Sequence, residues 1–266
     1  MPALLTERSA RVAAAVKLHR HVGRRRAGAF LAEGANLVEA AAARGLVRDV
    51  FATESAAQRH EVLLATLSCP VHLVTERAAK ALSDTVTPSG LVAVCEMPQT
   101  ELADVLAGTP RLIAVAVEIN EPGNAGTVIR LADAMGAGGV ILGGHSVDPY
   151  NGKCLRASTG SIFSIPVVVA PDTRAAVGAL HAAGLQVLAT TVDGETRLDE
   201  LAEALHRPTA WVFGPESHGL PSEVAHAADR RVRIPMSGGA ESLNVAAAAA
   251  ICLYQSAQAL GVLTRP

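Results

Sequence analysis

Metal-ligand spacing is missing from this chain. Its four cysteines, Cys69, Cys95, Cys154 and Cys252, include no Cys-x-x-Cys pair, and no histidine cluster stands at ligand spacing. That argues against a structural zinc site and a disulfide scaffold, and suits a reducing compartment. Aromatic residues are few, with one Trp, two Tyr and four Phe. No apolar run approaches the ~20 residues that span a bilayer, and the N-terminal alanines are interrupted by arginines, unlike a signal-peptide core. The expectation is a cytoplasmic protein with no membrane segment. No Gly-x-Gly-x-x-Gly follows a strand, Val147 stands where a phosphate loop ending in Gly152-Lys153 needs its first glycine, and no Gly-x-Ser-x-Gly elbow occurs. Dinucleotide binding, a phosphate loop and an acyl-transfer serine are therefore without support, and nothing calls for a metal.

What the chain does have is regional charge. The formal net charge is −2 over 266 residues. Residues 1–32 carry Arg8, Arg11, Lys17, Arg20, Arg24, Arg25 and Arg26 against Glu7 alone, a surplus of +6, so the remainder sums to −8. Two readings stay open for this arm: a phosphate-tracking surface that holds RNA, with salt-sensitive affinity, or a solvated helix face. Aromatics are scarce in the arm, so base stacking is not its tool.

Half the residues are hydrophobic, ample for one large or two small cores. From Phe30 onward short apolar strands (Val50 to Ala52, Val71 to Val74, Leu91 to Cys95) alternate with Ala-rich helical stretches near 37–44, 56–67 and 76–82. This predicts a compact α/β domain over residues 1–100. Gly108-Thr-Pro110 closes a linker over 101–110, and a second alternation fills 111–266, with strands near 112–117, 139–142, 165–169, 186–191, 209–213 and 231–234. Strand–helix alternation of this kind predicts a parallel sheet sandwiched by helices.

Three strand-to-loop junctions in that second region carry polar residues, where an open α/β sheet places its ligand. The strand Leu112 to Val117 runs into Glu118 to Asn124 and a helix containing Arg130. The strand Thr209 to Phe213 runs into Gly214-Pro-Glu216-Ser-His218-Gly-Leu220. Ile234-Pro-Met236 leads through Gly238 and Gly239 to Glu241-Ser242-Leu243-Asn244, which opens an Ala-rich helix to about Leu260. Read singly, Ser242 and Asn124 are adequate as plain helix N-caps. Arg130 stands among Thr127, Val128, Ile129, Leu131 and Ala132, where an unpaired guanidinium would be expensive.

Together, Asn124-x-Gly126-x-x-x-Arg130, Gly214-x-Glu216-x-x-Gly219-Leu220 and Ile234-Pro-Met236 through Glu241-Ser-Leu-Asn244 resemble, in order and spacing, the three motifs of the SpoU (TrmH-type) RNA ribose 2′-O-methyltransferases of the SPOUT superfamily. The resemblance covers the whole chain. It implies an α/β fold: a C-terminal parallel-sheet domain tied in a deep trefoil knot, plus a small N-terminal α/β domain like a ribosomal protein that binds the RNA substrate. It implies S-adenosylmethionine as cofactor, held around Ala189, Thr190, Gly214, Ile234, Met236 and Leu243, and Asn124, Arg130, Glu216, Ser242 and Asn244 as catalytic residues. RNA is the implied partner, with Arg24, Arg25, Arg26, Arg130 and Arg156 as contacts, although a structural salt bridge serves equally for Arg156. The chain is expected to form a homodimer. Ribosomal RNA is the first choice of substrate and transfer RNA the second, and an RNA-binding protein that keeps the fold without catalysis is the alternative from another class. His218 is a rival proton acceptor. Glu118 and Glu121 stand where many relatives have aspartate, which keeps the charge on a longer arm.

Overall fold

The computed structural model describes residues 4–263 of the chain, so the outermost residues of both expected end domains lie outside the described residues. The chain folds into two compact units, residues 1–99 with 150–163, and 100–149 with 164–266.

In the first unit helices α1 (Ala10–Val16) and α2 (His21–Ala27) precede strand β1 (Ala29–Glu33), then α3 (Ala35–Ala42), β2 (Val47–Ala52), α4 (Glu54–Arg59), α5 (Glu61–Ala65), β3 (Val71–Leu73), α6 (Glu76–Leu82) and β4 (Leu91–Glu96). The strand order is β1-β4-β2-β3, with β4 antiparallel to both neighbours and β2 parallel to β3. Thr53 and Thr75 cap α4 and α6 by accepting hydrogen bonds from Ala56 N and Ala78 N, the standard remedy for unpaired first-turn donors. Val12, Leu18, Leu31, Phe51, Leu82 and Val92 make one core. The 150–163 stretch packs here, not with the parallel sheet in which its sequence position lies: Tyr150 and Phe163 both lie against Phe30, with ring centroids 4.7 Å and 6.1 Å away.

The second unit begins with α7 (Leu102–Ala107), β5 (Leu112–Val117), α8 (Pro122–Ala134) and β6 (Gly139–Gly143). After α9 (Gly152–Ser158) and α10 (Ser161–Ser164) come β7 (Val167–Ala170), α11 (Thr173–Ala182), β8 (Gln186–Thr190), β9 (Thr196–Arg197), β10 (Thr209–Phe213), α12 (Ser222–Ala227), β11 (Arg230–Arg233) and α13 (Val245–Ala259). The seven strands run in the order β7-β6-β5-β10-β8-β11-β9, all parallel. All six residues of β5 and all five of β10 are buried, as expected of central strands covered on both faces. Ile113, Val115, Val117, Ile141, Val187 and Val212 join Leu180 of α11 in one core. On the opposite face Trp211, fully buried, donates from Nε1 to Ser256 Oγ on α13 at 2.7 Å.

The chain winds β5-β6-β7 to one side, then returns to lay β10 against β5. That reversal sets the carboxyl ends of β5 and β10 side by side at a switch in strand order, a place at which doubly wound sheets bind ligands. Phe213 pairs with Ala116, so both strands end level and release their loops side by side.

Candidate functional site

The loops after β5, β10 and β11 meet at one carboxylate oxygen. Glu216 Oε1 accepts from Asn244 Nδ2 at 2.8 Å, from Asn124 Nδ2 at 3.2 Å and from the Val245 main-chain N–H at 2.9 Å, while Asn244 Nδ2 also donates to Asn124 Oδ1 at 3.2 Å. One residue from each of the three loops thus closes a triangle. A carboxylate beside the first-turn N–H groups of α13 is also favoured by the helix dipole. Both expected helix caps are displaced by this arrangement. Glu121 caps α8, accepting from Asn124 N at 2.8 Å, and Pro122 takes the N1 position that suits it. Asn244 caps α13, its Oδ1 accepting from Ala246 N at 2.9 Å, which leaves Ser242 exposed on the loop.

Arg130 is not part of the triangle. It lies six residues beyond Asn124 on α8, about 9 Å along the axis and on another face by helical geometry. It is exposed and makes no hydrogen bond or ion pair among the described residues. The expected expense of an unpaired guanidinium therefore does not arise, because water solvates it.

Beside the triangle opens a cleft of about 570 Å³ lined by the loops after β8, β10 and β11. Thr190, Gly214, Ile234, Met236 and Leu243 line it, as do Glu216, His218 and Ser242. Ala189 does not. It is fully buried in β8, between Val212 of β10 and Arg231 of β11. The cleft wall at the end of β8 is built by Thr191, Val192 and Asp193 instead. These residues follow a strand end just as the three motif loops do, and that rule marks them. At Gly214 the turn folds back so tightly that a Cβ would sit 2.7 Å from Leu220 N and 2.8 Å from the Gly219 carbonyl carbon, so only glycine fits.

His218 adds a link between two of the loops. Its Nε2 lies 3.4 Å from Glu118 Oε2, and its Nδ1 is 2.9 Å from Ser217 Oγ. Glu118 occupies the left-handed region at φ 54°, a conformation a non-glycine residue pays roughly 1–2 kcal/mol to hold and one that clusters at working sites.

In the first unit Arg24 is turned inward. It is 4% exposed and donates from Nη1 to the carbonyls of Leu18 and His19, both at 2.9 Å, so it braces the α1–α2 corner while Arg25 and Arg26 face solvent. Arg156, in the same unit, is paired with Asp84. Among the described residues no group of His, Cys, Asp and Glu is placed to hold a metal, and no helix is long and apolar enough to cross a membrane.

Residues 111–254 match the SpoU rRNA methylase family, and residues 9–93 match an MRM3-like substrate-binding domain. A Bacillus subtilis protein named as a 23S rRNA (guanosine(2553)-2′-O)-methyltransferase is 35% identical over 239 residues, covering 90% of this chain and 92% of its own. Among solved structures, the SpoU methyltransferase AviRb of Streptomyces viridochromogenes, in complex with the cofactor AdoMet, superposes with a TM-score of 0.84 at 32% identity, over 94% of this chain and 98% of its own. An AdoMet-bound rRNA methyltransferase of Sinorhizobium meliloti gives 0.83 at 29% identity, over 97% and 98%.

Proposed function

The chain belongs to the SpoU rRNA methylase family, and from that membership we propose that it is an S-adenosylmethionine-dependent RNA ribose 2′-O-methyltransferase acting on ribosomal RNA. The observation that carries this reading is the convergence of Asn124, Glu216 and Asn244 on one oxygen at the rim of a cleft. Ribosomal RNA is preferred to transfer RNA because the full-length Bacillus relative is named for that substrate.

The cleft fits S-adenosylmethionine on its own features. Its volume falls within the roughly 300–1,000 Å³ usual for small-molecule sites. Its wall mixes apolar Leu220, Val232, Ile234 and Leu243 with polar groups, and Thr191 Oγ1 there is buried without a hydrogen-bond partner among the described residues. Thr190, Gly214, Ile234, Met236 and Leu243 would hold the cofactor, which supplies an electrophilic methyl group on a sulfonium. Glu216, fixed through Oε1, keeps Oε2 to accept a hydrogen bond from the target nucleoside, and Asn124, Asn244 and Ser242 complete the nucleoside's seat. Arg130 holds an RNA phosphate and stabilises the alkoxide developing on the ribose. A guanidinium is almost never deprotonated, so the hydroxyl proton passes to that phosphate or to water. Positioning accounts for much of the rate in such a site.

α13 leaves β11 through the Gly-rich loop yet packs on β5, β10 and α8 at the middle of the sheet, which supports a threaded carboxyl-terminal segment, the trefoil knot. Ile251 and Tyr254 on α13 are 37% and 48% exposed, which supports a second copy as their cover and hence a homodimer. The first unit serves as the RNA-binding domain, with Arg25 and Arg26 among its contacts, and the second, which α7 joins, as the catalytic domain, all working in the cytoplasm on ribosomal RNA. Methyl transfer by Arg130→Ala and His218→Ala tests the roles: loss in the first alone, with cofactor binding intact, is expected, and loss confined to the second would reverse them.

A further inference from the structure

The loop after β8 is pinned more firmly than a passive wall requires. The main-chain N–H of Thr191 donates to Val232 O at 2.9 Å, and Thr190 Oγ1 donates to Val212 O at 3.0 Å. Glu195 takes Arg231 N at 3.1 Å and Arg231 Nε at 3.0 Å, and Arg233 Nη1 donates to Gly194 O at 2.6 Å. A Cβ on Gly194 would stand 2.7 Å from Arg233 N, so the loop lies flat on β11. In this clamped segment Thr191 Oγ1 alone is buried and unsatisfied among the described side chains, and Thr191 lines the cleft. A buried hydroxyl without a partner is a standing penalty, and one held by a rigid loop at a ligand site points to a partner that arrives with the ligand.

We infer that the Thr191 hydroxyl is a specificity-determining contact for the adenosine moiety of S-adenosylmethionine, an assignment that rests on the cofactor reading above. Thr191 N–H is bonded to Val232 O, and Val232 with Leu220, Ala225 and Ile234 gives the cleft apolar lining that suits a flat purine. The charged amino-acid arm needs polar company, which Glu216, Ser217 and Ser242 in the same lining offer. A hydroxyl both donates and accepts, so it can satisfy a purine edge or a ribose hydroxyl in the same place.

The test is calorimetric titration of the full chain with S-adenosylhomocysteine and with 5′-methylthioadenosine, which lacks the amino-acid arm, alongside melting of the unliganded protein. Thr191→Val, which keeps the shape, should weaken binding of both about three- to tenfold, the worth of one ordinary hydrogen bond. Thr191→Ser should restore most of it. The unliganded Thr191→Val protein should melt at or above the wild-type temperature, because an orphaned hydroxyl has been removed; a hydroxyl that serves only the fold would lower it. Wild-type affinity in Thr191→Val overturns the inference. So does a loss seen with S-adenosylhomocysteine but not with methylthioadenosine, which would place the contact on the amino-acid arm. Failure of the wild type itself to bind S-adenosylhomocysteine refutes the cofactor reading, and this inference with it.

Discussion

Replacing Glu216 by alanine removes the one oxygen that three loops share. Two of its donors, the side-chain amides of Asn124 and Asn244, lie near solvent and can turn to water, so each loses a net ~0.5 kcal/mol. The third, Val245 N–H, is partly buried at the start of α13, and it loses both its acceptor and a favourable charge at a helix N-terminus, together about 1 kcal/mol. The sum, about 2 kcal/mol, lowers the melting temperature by roughly 4–8 °C in a unit of this size. Trp211, the only tryptophan and fully buried on β10, reports the transition by fluorescence. Methyl transfer should fall by roughly 10²–10³, the usual effect of removing a preorganised polar group from a site. Glu216→Gln keeps an acceptor and should recover most of the melting temperature but not the rate. If Glu216→Ala melts with the wild type and transfers methyl at the wild-type rate, the shared oxygen does not organise the site.

Three further outcomes follow from other parts of the molecule. Arg24→Ala should destabilise the first unit by about 1–3 kcal/mol, since two main-chain carbonyls lose a charged donor; Arg25→Ala and Arg26→Ala should leave melting unchanged and each lower the slope of log affinity for RNA against log salt by about 0.7–0.9. The Glu195 carboxyl is held below its usual range, chiefly by the main-chain N–H groups of Glu195 and Arg231. A depressed carboxylate stabilises the fold fully above its unfolded value of about 4.3 and loses that contribution as pH falls through the lower folded value, so melting between pH 6 and 3 should drop more steeply for the wild type than for Glu195→Gln. Burial pushes the Cys95 thiol up to about 12 and raises that of Cys252 as well; iodoacetamide at pH 8 should leave both unlabelled until the protein is unfolded, and rapid labelling of either in the native state would contradict their placement.

Strong local signals made much of this fold legible in the sequence. The apolar runs of β5 and β10 read as covered strands, and with the strand–helix alternation around them six of the seven strands of the parallel sheet can be placed from sequence. β9, two residues long, carries no period that a sequence can display. β1 is hard to read for a related reason: Ala29 to Glu33 is short and mixed, and its strand character comes from antiparallel pairing with β4, far along the chain. The helix near 56–67 is two, broken at His60. At the site, the resemblance to the family's motifs marks Asn124, Glu216 and Asn244, but the carboxylate that joins them is a fact of three dimensions. Spacing also placed Arg24 with Arg25 and Arg26, because burial at an α1–α2 corner leaves no trace in a run of arginines. Thr191 lines the cleft and the Ala189 side chain does not, since register, not composition, decides which residue at the end of β8 clears the sheet.

The central claim is met most directly by one measurement: incubating the protein with ribosomal RNA and methyl-labelled S-adenosylmethionine, digesting to nucleosides and identifying the labelled product by mass spectrometry. Label is expected on the 2′-oxygen of a ribonucleoside with the wild type and is expected to be lost in Glu216→Ala. Label on a base carbon or nitrogen, or on transfer RNA in preference to ribosomal RNA when both are offered, would contradict it.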